Sequence, residues 1–474
     1  MKIRVLGKQE DLTGSMTLIE FPCGTKGLID FGLTQFNNGG IASSMIYNGR
    51  KFDFDVDEIS FVVITHAHAD HLGLLPLLVK RGYKGKIIMT LPTADFASLT
   101  LYDTVKIFEG DTICYNKINK NKKSKLEPIF DKEDVAHTLR MIQSYGFNQD
   151  IEISDTITVT LKKAGHMLGA CMPLFKFKHK DKTKRILFTG DTSGLTSQKP
   201  FLPPADDFGD IDYLVVESTY GNRVQEKVDA KEQLQGSIYR TCIKNKGTLL
   251  IPVFSMQRSS ELMWLLRDVY FDNPVFFDIP IYLDSPLAIS SQNVMKKNKD
   301  FWGEKWIIED MKFGGSIFDW KQIENVVDYR QSMALGNDGK PKIILSSSGM
   351  CEGGRITRHL ETFCPRKENE IFFTGYQVNG TVGHGIQNCT KETFGLNGER
   401  IALRATVSSI PFSGHADMNQ LTSLVQTSKK GNLKQIFIIH GDMEAKEYFK
   451  THLNKHIKGA KITVPKRNKE YEFN

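Results

Sequence analysis

The 474-residue sequence contains no apolar run approaching the roughly eighteen residues that a membrane-spanning helix needs. Its opening MKIRVLGKQED lacks the apolar core and the small-residue cleavage site of a secretory leader. A cytoplasmic protein with no membrane partner is therefore expected. The seven cysteines, Cys23, Cys114, Cys171, Cys242, Cys351, Cys364 and Cys389, are scattered, odd in number and without a C-x-x-C pair. That spacing argues against a zinc finger and a disulfide framework, and it suits a reducing compartment in which most of them are small core residues. No tandem repeat is present. Charge of one sign is in modest excess only: a net +7 over this length leans weakly toward an anionic partner such as nucleic acid.

The composition, 40% hydrophobic and 25% charged, is that of a globular protein. The length exceeds one ordinary domain, so two compact units, or one inserted in the other, are expected.

Histidine is also scarce, twelve in all, yet three fall in the stretch FVVITHAHADHLGLLP, residues 61 to 76. Phe61 to Ile64 reads as a short buried strand, and a helix is expected from about Gly73, with Pro76 tolerated in its first turn. His66, His68, Asp70 and His71 then occupy the connecting loop. Side chains there can converge on one point while strand and helix hold the backbone, as a metal site requires.

Before this stretch, KIRVLG, TLIEF and KGLIDFG alternate like consecutive strands, and Asp30 closes the third; a carboxylate in that place is more often a turn former than a site residue. After it, KGKIIMT reads as a strand and residues 94–149 as largely helical. Within them KINKNKKSK, residues 117–125, carries five lysines and reads as a solvated loop. Strands resume at ITVTLKKAGHMLGA, RILFTGDTSG and YLVVESTYGNR, each running into a turn that presents one ligand-type residue: His166, Asp191 and Glu217. From about Asn222 the texture becomes alternating strands and helices, the rhythm of a parallel sheet covered by helices. The tail returns to strand, histidine turn and helix, with His415 in FSGHAD and His440 in IIHGD. The simplest topology has this tail completing the first domain. The expected limits are 1–221 for the first part of that domain, 222–398 for the insert and 399–474 for the return.

His66, His68, Asp70, His71, His166, Asp191 and His440 make seven candidate ligands. One catalytic zinc takes only three protein ligands, so seven imply two metals sharing Asp191. Nitrogen and oxygen donors suit Zn²⁺, with Mn²⁺ or Fe²⁺ as substitutes. Two cations roughly 3.5 to 4 Å apart activate a shared water and clamp both oxygens of a phosphoryl transfer.

With TGSM, LIDFG, HAHADH, AGHMLGA, FTGDTSG, ESTYGNR, YLDSPLA, SSSGMCEGGR, TGYQVNGTVG, FSGHAD and IIHGD in order, the chain resembles the β-CASP nucleases of the metallo-β-lactamase superfamily over nearly its whole length. It is more similar to the bacterial and archaeal members akin to the cleavage-factor nuclease than to RNase J. The resemblance implies an αββα sandwich with an inserted parallel-sheet α/β domain. It implies that His66, His68 and His166 hold one zinc, that Asp70, His71 and His440 hold the other, and that Asp191 bridges. It makes Asp30 the aspartate of the first motif, supporting the metal site, which reverses the turn-former reading. Glu217, His415 and His440 match the three β-CASP motifs: the middle histidine protonates the leaving 3′-oxygen, and the glutamate orients it. A carboxylate-paired imidazole stays protonated more readily, as such an acid must. Histidine in the third motif goes with RNA-processing members, so DNA is the less expected substrate.

In the insert, Ser346, Ser347, Ser348 and Gly349 precede an expected helix carrying Arg355, and Arg258 follows VFSMQ. Hydroxyls, free backbone N–H groups and guanidinium suit phosphate, although Ser-Gly runs also serve as caps and turns. His137, His179, His359, His384, His452 and His456 lack matching context and are expected at the surface or in packing.

The expected activity is hydrolysis of single-stranded RNA to 5′-phosphate and 3′-hydroxyl ends by an endonuclease, with 5′–3′ exonuclease action also compatible, the RNA lying in a groove between the domains. A homodimer is compatible too. The alternatives are a hydrolase of a small ester, lactam or thioester, against which the insert speaks, and a noncatalytic RNA-binding scaffold, against which the complete ligand set speaks. Neither a KH-type domain before the nuclease nor a long extension after it is expected.

Overall fold

The computed structural model describes residues 1–8, 13–35, 43–121, 125–180, 182–196, 199–226, 228–312, 317–375, 377–389, 392–427 and 433–473. The chain divides into two compact units: Met1–Gln198, Leu202–Val224 and Gly414–Asn474 form the first, Lys199–Phe201 and Gln225–Ser413 the second.

In the first unit, alternating apolar positions put one face of each strand into a shared interior. One seven-stranded sheet runs in the order Glu470–Glu472, Lys2–Val5, Thr17–Glu20, Lys26–Ile29, Ile59–Val63, Lys86–Thr90, Ile142–Tyr145. The other runs Lys461–Thr463, Gln435–Ile438, Tyr213–Val216, Lys182–Phe188, Cys171–His179, Ile157–Lys163, Asp150–Ser154. Ile19, Phe61, Val63 and Ile88 from the first sheet meet Val159, Phe175, Phe188, Val215 and Phe437 from the second in one buried cluster. Phe21 anchors it, its ring 5.3 Å from Phe177 and 5.6 Å from Phe175. Burying each such side chain contributes about 1.5–3 kcal/mol. Helix Leu91–Ile118 packs on the first sheet, with Lys132–Met141 against it and against Leu75–Lys80, and Met443–His456 packs on the second, so the layers read αββα.

The expected helical stretch 94–149 ends earlier than its composition suggests. Residues Ile142–Tyr145 form the edge strand of the first sheet, pairing in parallel with Lys86–Thr90. Only partly buried, this strand lacks the continuous apolar run that marks central strands. Lys122, Lys123 and Ser124 of the lysine-rich stretch lie outside the described residues.

The second unit is built on a six-stranded sheet, Ile323–Asn325, Ile281–Asp284, Lys342–Ser346, Thr248–Pro252, Glu370–Thr374, Thr406–Ile410, with every pair parallel. Helices Arg258–Asp272, Pro286–Lys297 and Arg355–Phe363 come after its strands in the expected rhythm. The unit continues past residue 398 because Thr406–Ile410 pairs with Glu370–Thr374, and the first unit resumes at Gly414. Four of the cysteines are buried and all seven are free. Among the described residues no helix is long and apolar enough to cross a membrane.

Candidate metal centre

Each candidate ligand sits just beyond the end of a strand in the first unit, and backbone hydrogen bonds lock these ends to one another. The strand Ile59–Val63 leads into Thr65 and His66, with His68 capping a one-turn helix, Ala69–Leu72, that carries Asp70 and His71. The ligand stretch is thus partly helical where a plain loop was expected, and the next helix starts at Leu75 with Pro76 in its first turn. Gly32 is required beside it: a Cβ there would stand 1.6 Å from the carbonyl oxygen of Asp70.

The turn carrying His166 closes on itself through Ala164 N–H to Ala170 O (3.0 Å). It is pinned to the long helix by the hydroxyls of Thr90 (2.6 Å) and Thr93 (3.0 Å), both donating to Gly169 O. Cys171 N–H donates to Thr65 O (2.8 Å), joining the second sheet to the His66 stretch. Thr192, next to Asp191, donates through Oγ1 to Ala164 O (2.8 Å), and its carbonyl accepts Ala416 N–H, fixing the His415 turn. His440 comes just after Gln435–Ile438 with a left-handed φ of 45°, its carbonyl held by Ser218 N–H at 2.8 Å. Asp30 is also left-handed, at φ 59°. Non-glycine residues keep such φ values only where surroundings impose them, and they cluster at functional sites.

Two groups of donors result. His66 Nε2, His68 Nδ1 and His166 Nε2 converge, with His68 Nδ1 3.0 Å from the first and 3.2 Å from the last. Asp191 Oδ2 closes this group at 3.5 Å from His66 Nε2 and 3.7 Å from His166 Nε2. The second group is Asp70, His71 and His440. Its two imidazole Nε2 atoms stand 3.4 Å (His71) and 3.3 Å (His440) from Asp191 Oδ1, and Asp70 Oδ2 is 3.7 Å from His71 Nε2. Asp191 thus turns one oxygen to each group. Its Oδ1 is buried and, among the described residues, accepts no hydrogen bond, an expensive state for a carboxylate oxygen unless a cation completes it. The all-nitrogen-and-oxygen donor set fits divalent metal.

Behind the donors lies a layer of orienting contacts. Asp30 accepts from Thr65 N–H (2.7 Å) and Thr65 Oγ1 (2.9 Å), and its Oδ2 is 2.7 Å from His71 Nδ1. Thr65 Oγ1 is also 3.1 Å from His66 Nδ1. Ser15 Oγ is 2.9 Å from His440 Nδ1. Thr65 and Ser15 stand inside the motifs ITHAHADH and TGSM, but nothing in those motifs assigns them a role, because a hydroxyl gains one only from the imidazole it meets.

A third group joins Asp191, Glu217 and His415. His415 Nδ1 lies 3.0 and 3.1 Å from the two Glu217 oxygens, and its Nε2 faces Asp191 Oδ2 at 3.8 Å. Glu217 is buried and also accepts Thr192 N–H (2.7 Å) and Thr219 N–H (3.2 Å).

The electrostatics are set by burial and crowding. Burial disfavours the His71 imidazolium, but the carboxylates of Asp191, Asp30 and Asp70 outweigh it and hold its pKa well above the ordinary range. Burial, reinforced by His71, holds His66 well below that range, and burial also lowers His440. Burial would raise the Asp191 pKa, yet His440, His71, His415 and His66 around it keep it well below the usual carboxylate range. The ionised carboxylate of Asp191 between the lowered-pKa imidazoles of His66 and His440 suits a cation.

The residues expected to meet phosphate lie in the second unit. Ser346 is buried and donates to Asp284 O (3.2 Å), while Ser347 Oγ is bonded to Ser255 Oγ (2.7 Å) and Ser285 Oγ (3.0 Å). Ser348 Oγ is buried with no hydrogen-bond partner among the described residues. Gly349 lies against Phe254, whose Cδ2 would be 2.7 Å from a Cβ there. Each of the two arginines is paired with a carboxylate of the same unit. Arg258 is paired with buried Glu261. Arg355 reaches Asp284 Oδ1 (2.6 Å) and the carbonyls of Val326 (2.9 Å) and Val327 (2.6 Å). Asp284 also takes Ser332 Oγ (2.5 Å) and His359 Nε2 (2.6 Å), so His359 is a buried structural partner.

Two facing sheets with metal donors gathered at the ends of their strands, and a parallel α/β unit inserted before the last of those donors, define a metallo-β-lactamase-type metallohydrolase. Family descriptions match in the same arrangement: a metallo-beta-lactamase superfamily domain over residues 18–192, a Beta-Casp domain over 259–386, and a Zn-dependent metallo-hydrolase RNA specificity domain over 400–465. The chain belongs to the β-CASP nuclease family of the metallo-β-lactamase superfamily. It is 27% identical over 471 residues to cleavage and polyadenylation specificity factor subunit 3 of Dictyostelium discoideum, covering 98% of this chain and 56% of that protein. It is 30% identical to transcription termination factor FttA of Methanocaldococcus jannaschii, covering 93% and 67%, and 27% identical to ribonuclease TTHA0252 of Thermus thermophilus, covering 94% of each. The chain thus spans little more than half the length of some relatives. A crystal structure of a protein of unknown function from Enterococcus faecalis shares the fold at a TM-score of 0.55 and 12% identity, covering 99% of both chains.

Proposed function

We propose that this protein is a ribonuclease that uses two zinc ions to hydrolyse phosphodiester bonds of single-stranded RNA, leaving 5′-phosphate and 3′-hydroxyl ends. The observation that carries the reading is the placement of Asp191, one oxygen toward each donor group, beside the Glu217–His415 pair. His66, His68 and His166 would hold one ion, Asp70, His71 and His440 the other, with Asp191 shared. Ions held there supply the positive charge that activates water and stabilises the phosphorane-like charge of the reaction.

The chain's own residues supply the rest. Asp30 accepts from His71 Nδ1, leaving Nε2 free as a donor toward metal. Glu217 holds His415 through Nδ1, so that Nε2–H is the proton offered on the side of Asp191, where a leaving 3′-oxygen would need it. In the second unit, the buried, unpartnered hydroxyl of Ser348 and the neighbouring Ser346, Ser347 and Gly349 are proposed to meet a phosphate of the substrate. Arg258 and Arg355 are proposed as braces of that unit. RNA as substrate is supported by the names of two relatives, a ribonuclease and a cleavage and polyadenylation factor subunit.

The test is cleavage of labelled single-stranded RNA by purified protein of measured zinc content, with His71→Ala and His415→Ala as controls. Cleavage by the wild type and loss in both variants is expected. Intact RNA after incubation with the zinc-loaded wild type, or a His71→Ala variant as active as wild type, overturns the proposal. Circular RNA in the same assay separates internal cutting from action at an end.

A further inference from the structure

Ser15 contacts every donor residue of one metal group, Asp70, His71 and His440. Its Oγ is 2.9 Å from His440 Nδ1 and 3.5 Å from His71 Nε2. Its N–H donates to the carbonyl of Asp70 at 2.8 Å, and its own carbonyl accepts Gly32 N–H at 2.9 Å. The residue is thereby fixed between the turn after Asp30 and the helix that carries Asp70.

The chemistry of an imidazole ligand gives this placement a meaning. A histidine that offers Nε2 to a cation carries its proton on Nδ1, and that N–H needs an acceptor to set tautomer and ring plane. His71 has Asp30 for this, and His66 has Thr65. For His440 the partner is Ser15, while Nε2 faces Asp191 Oδ1. The backbone of His440 is already left-handed and held through its carbonyl by Ser218, so the ring orientation depends on what meets Nδ1.

We propose that Ser15 is a positioning residue that orients His440 and thereby sets the affinity of the ion held by Asp70, His71 and His440, leaving the ion held by His66, His68 and His166 unaffected. This rests on the two-ion reading above. The readout is therefore metal binding, independent of RNA.

Zinc-free wild type, Ser15→Ala and Ser15→Thr are titrated with Zn²⁺ in competition with a chromophoric chelator. Alanine keeps both main-chain hydrogen bonds of residue 15, so the fold is retained, which thermal melting of the zinc-free variant checks. The expected result is two equivalents for wild type. Ser15→Ala should bind one equivalent unchanged and the second about 10–100-fold more weakly, the usual cost of losing an orienting partner. Ser15→Thr, which restores a hydroxyl, should recover the second. Equal affinity for both ions in Ser15→Ala, equal weakening of both, or no recovery in a folded Ser15→Thr overturns the assignment. Wild type that takes up a single equivalent overturns the two-ion reading itself, whatever Ser15→Ala does.

Discussion

Replacing Glu217 by glutamine removes a charge while keeping the shape, and the surroundings of Glu217 determine the consequences. Both carboxylate oxygens are in use: Oε1 accepts Thr192 N–H and Oε2 accepts Thr219 N–H, while His415 Nδ1 lies against both. Glutamine has one carbonyl oxygen and one NH₂, so in either orientation a buried backbone N–H faces another donor. That leaves an unmet hydrogen bond costing about 1–3 kcal/mol of stability. The same NH₂ faces His415 Nδ1, so the imidazole either shifts to the tautomer without a proton on Nδ1 or loses its charge-assisted partner. A positioned acid is worth about 10²–10⁴ in rate, so turnover should fall by about 100-fold or more. Zinc content should stay at the wild-type value, because the two donor groups around Asp191 are complete without Glu217. Melting curves, zinc analysis and kcat on labelled RNA measure the three effects. Wild-type turnover by Glu217→Gln would refute the orienting role, and loss of one zinc equivalent would show that Glu217 is a ligand instead.

Asp30→Asn places an NH₂ against Thr65 or His71 Nδ1, and zinc affinity should drop by about 10–100-fold, measured by chelator competition. Asp284→Asn leaves Arg355 and His359 without their buried anion and should destabilise the second unit by about 3–5 kcal/mol in denaturant titrations. Burial would raise the Asp284 pKa, but hydrogen bonds from His359, Ser332 and Arg355 overcome it and hold it below its ordinary value. A depressed folded pKa stabilises above the unfolded value and is lost as pH falls through the folded one, so wild-type melting temperature should decline below about pH 4, and Asp284→Asn should lack that component. Ser348→Ala removes a buried hydroxyl with no partner among the described residues, so on the phosphate-contact reading it should raise KM for RNA with kcat retained.

The donors were legible because chemistry concentrates them: three histidines and an aspartate between residues 66 and 71, and single donors after apolar strands at His166, Asp191, Glu217 and His440. Strand and turn come from local pattern, so the place of each donor at a strand end could be read. The partners could not. Ser15 and His440 are 425 positions apart, and only the common closure of the two sheets brings them together. For the same reason the pairing of Arg355 with Asp284 could not be read: a sequence shows a guanidinium's charge, but the distant carboxylate that meets it is selected by the fold. The edge strand Ile142–Tyr145 was hidden because partly exposed, polar-rich strands carry little period-two signal, and Thr406–Ile410, legible as a strand, belongs to the second unit because of its pairing with Glu370–Thr374.

Charge balance ties these pieces to one last expectation. Asp30, Asp70, Asp191 and Glu217 bring four carboxylates into or against the site, three of them nearly fully buried. On the two-ion reading, two divalent cations would bring four positive charges, which match that set with the ligand imidazoles neutral, as ligation requires. Before zinc is loaded, the negative charge must be offset otherwise, and His71 is the imidazole held well above the ordinary range by Asp191, Asp30 and Asp70 against the cost of burial. Its proton occupies the nitrogen that zinc would take. Loading zinc should therefore release protons at neutral pH, and apparent affinity should rise with pH until His71 is neutral in the zinc-free protein. Titration of zinc-free protein in weak buffer with an indicator dye measures this directly. In His71→Ala the release on binding of the remaining ion should be smaller; a release equal to that of wild type would place the displaced proton elsewhere and refute the assignment.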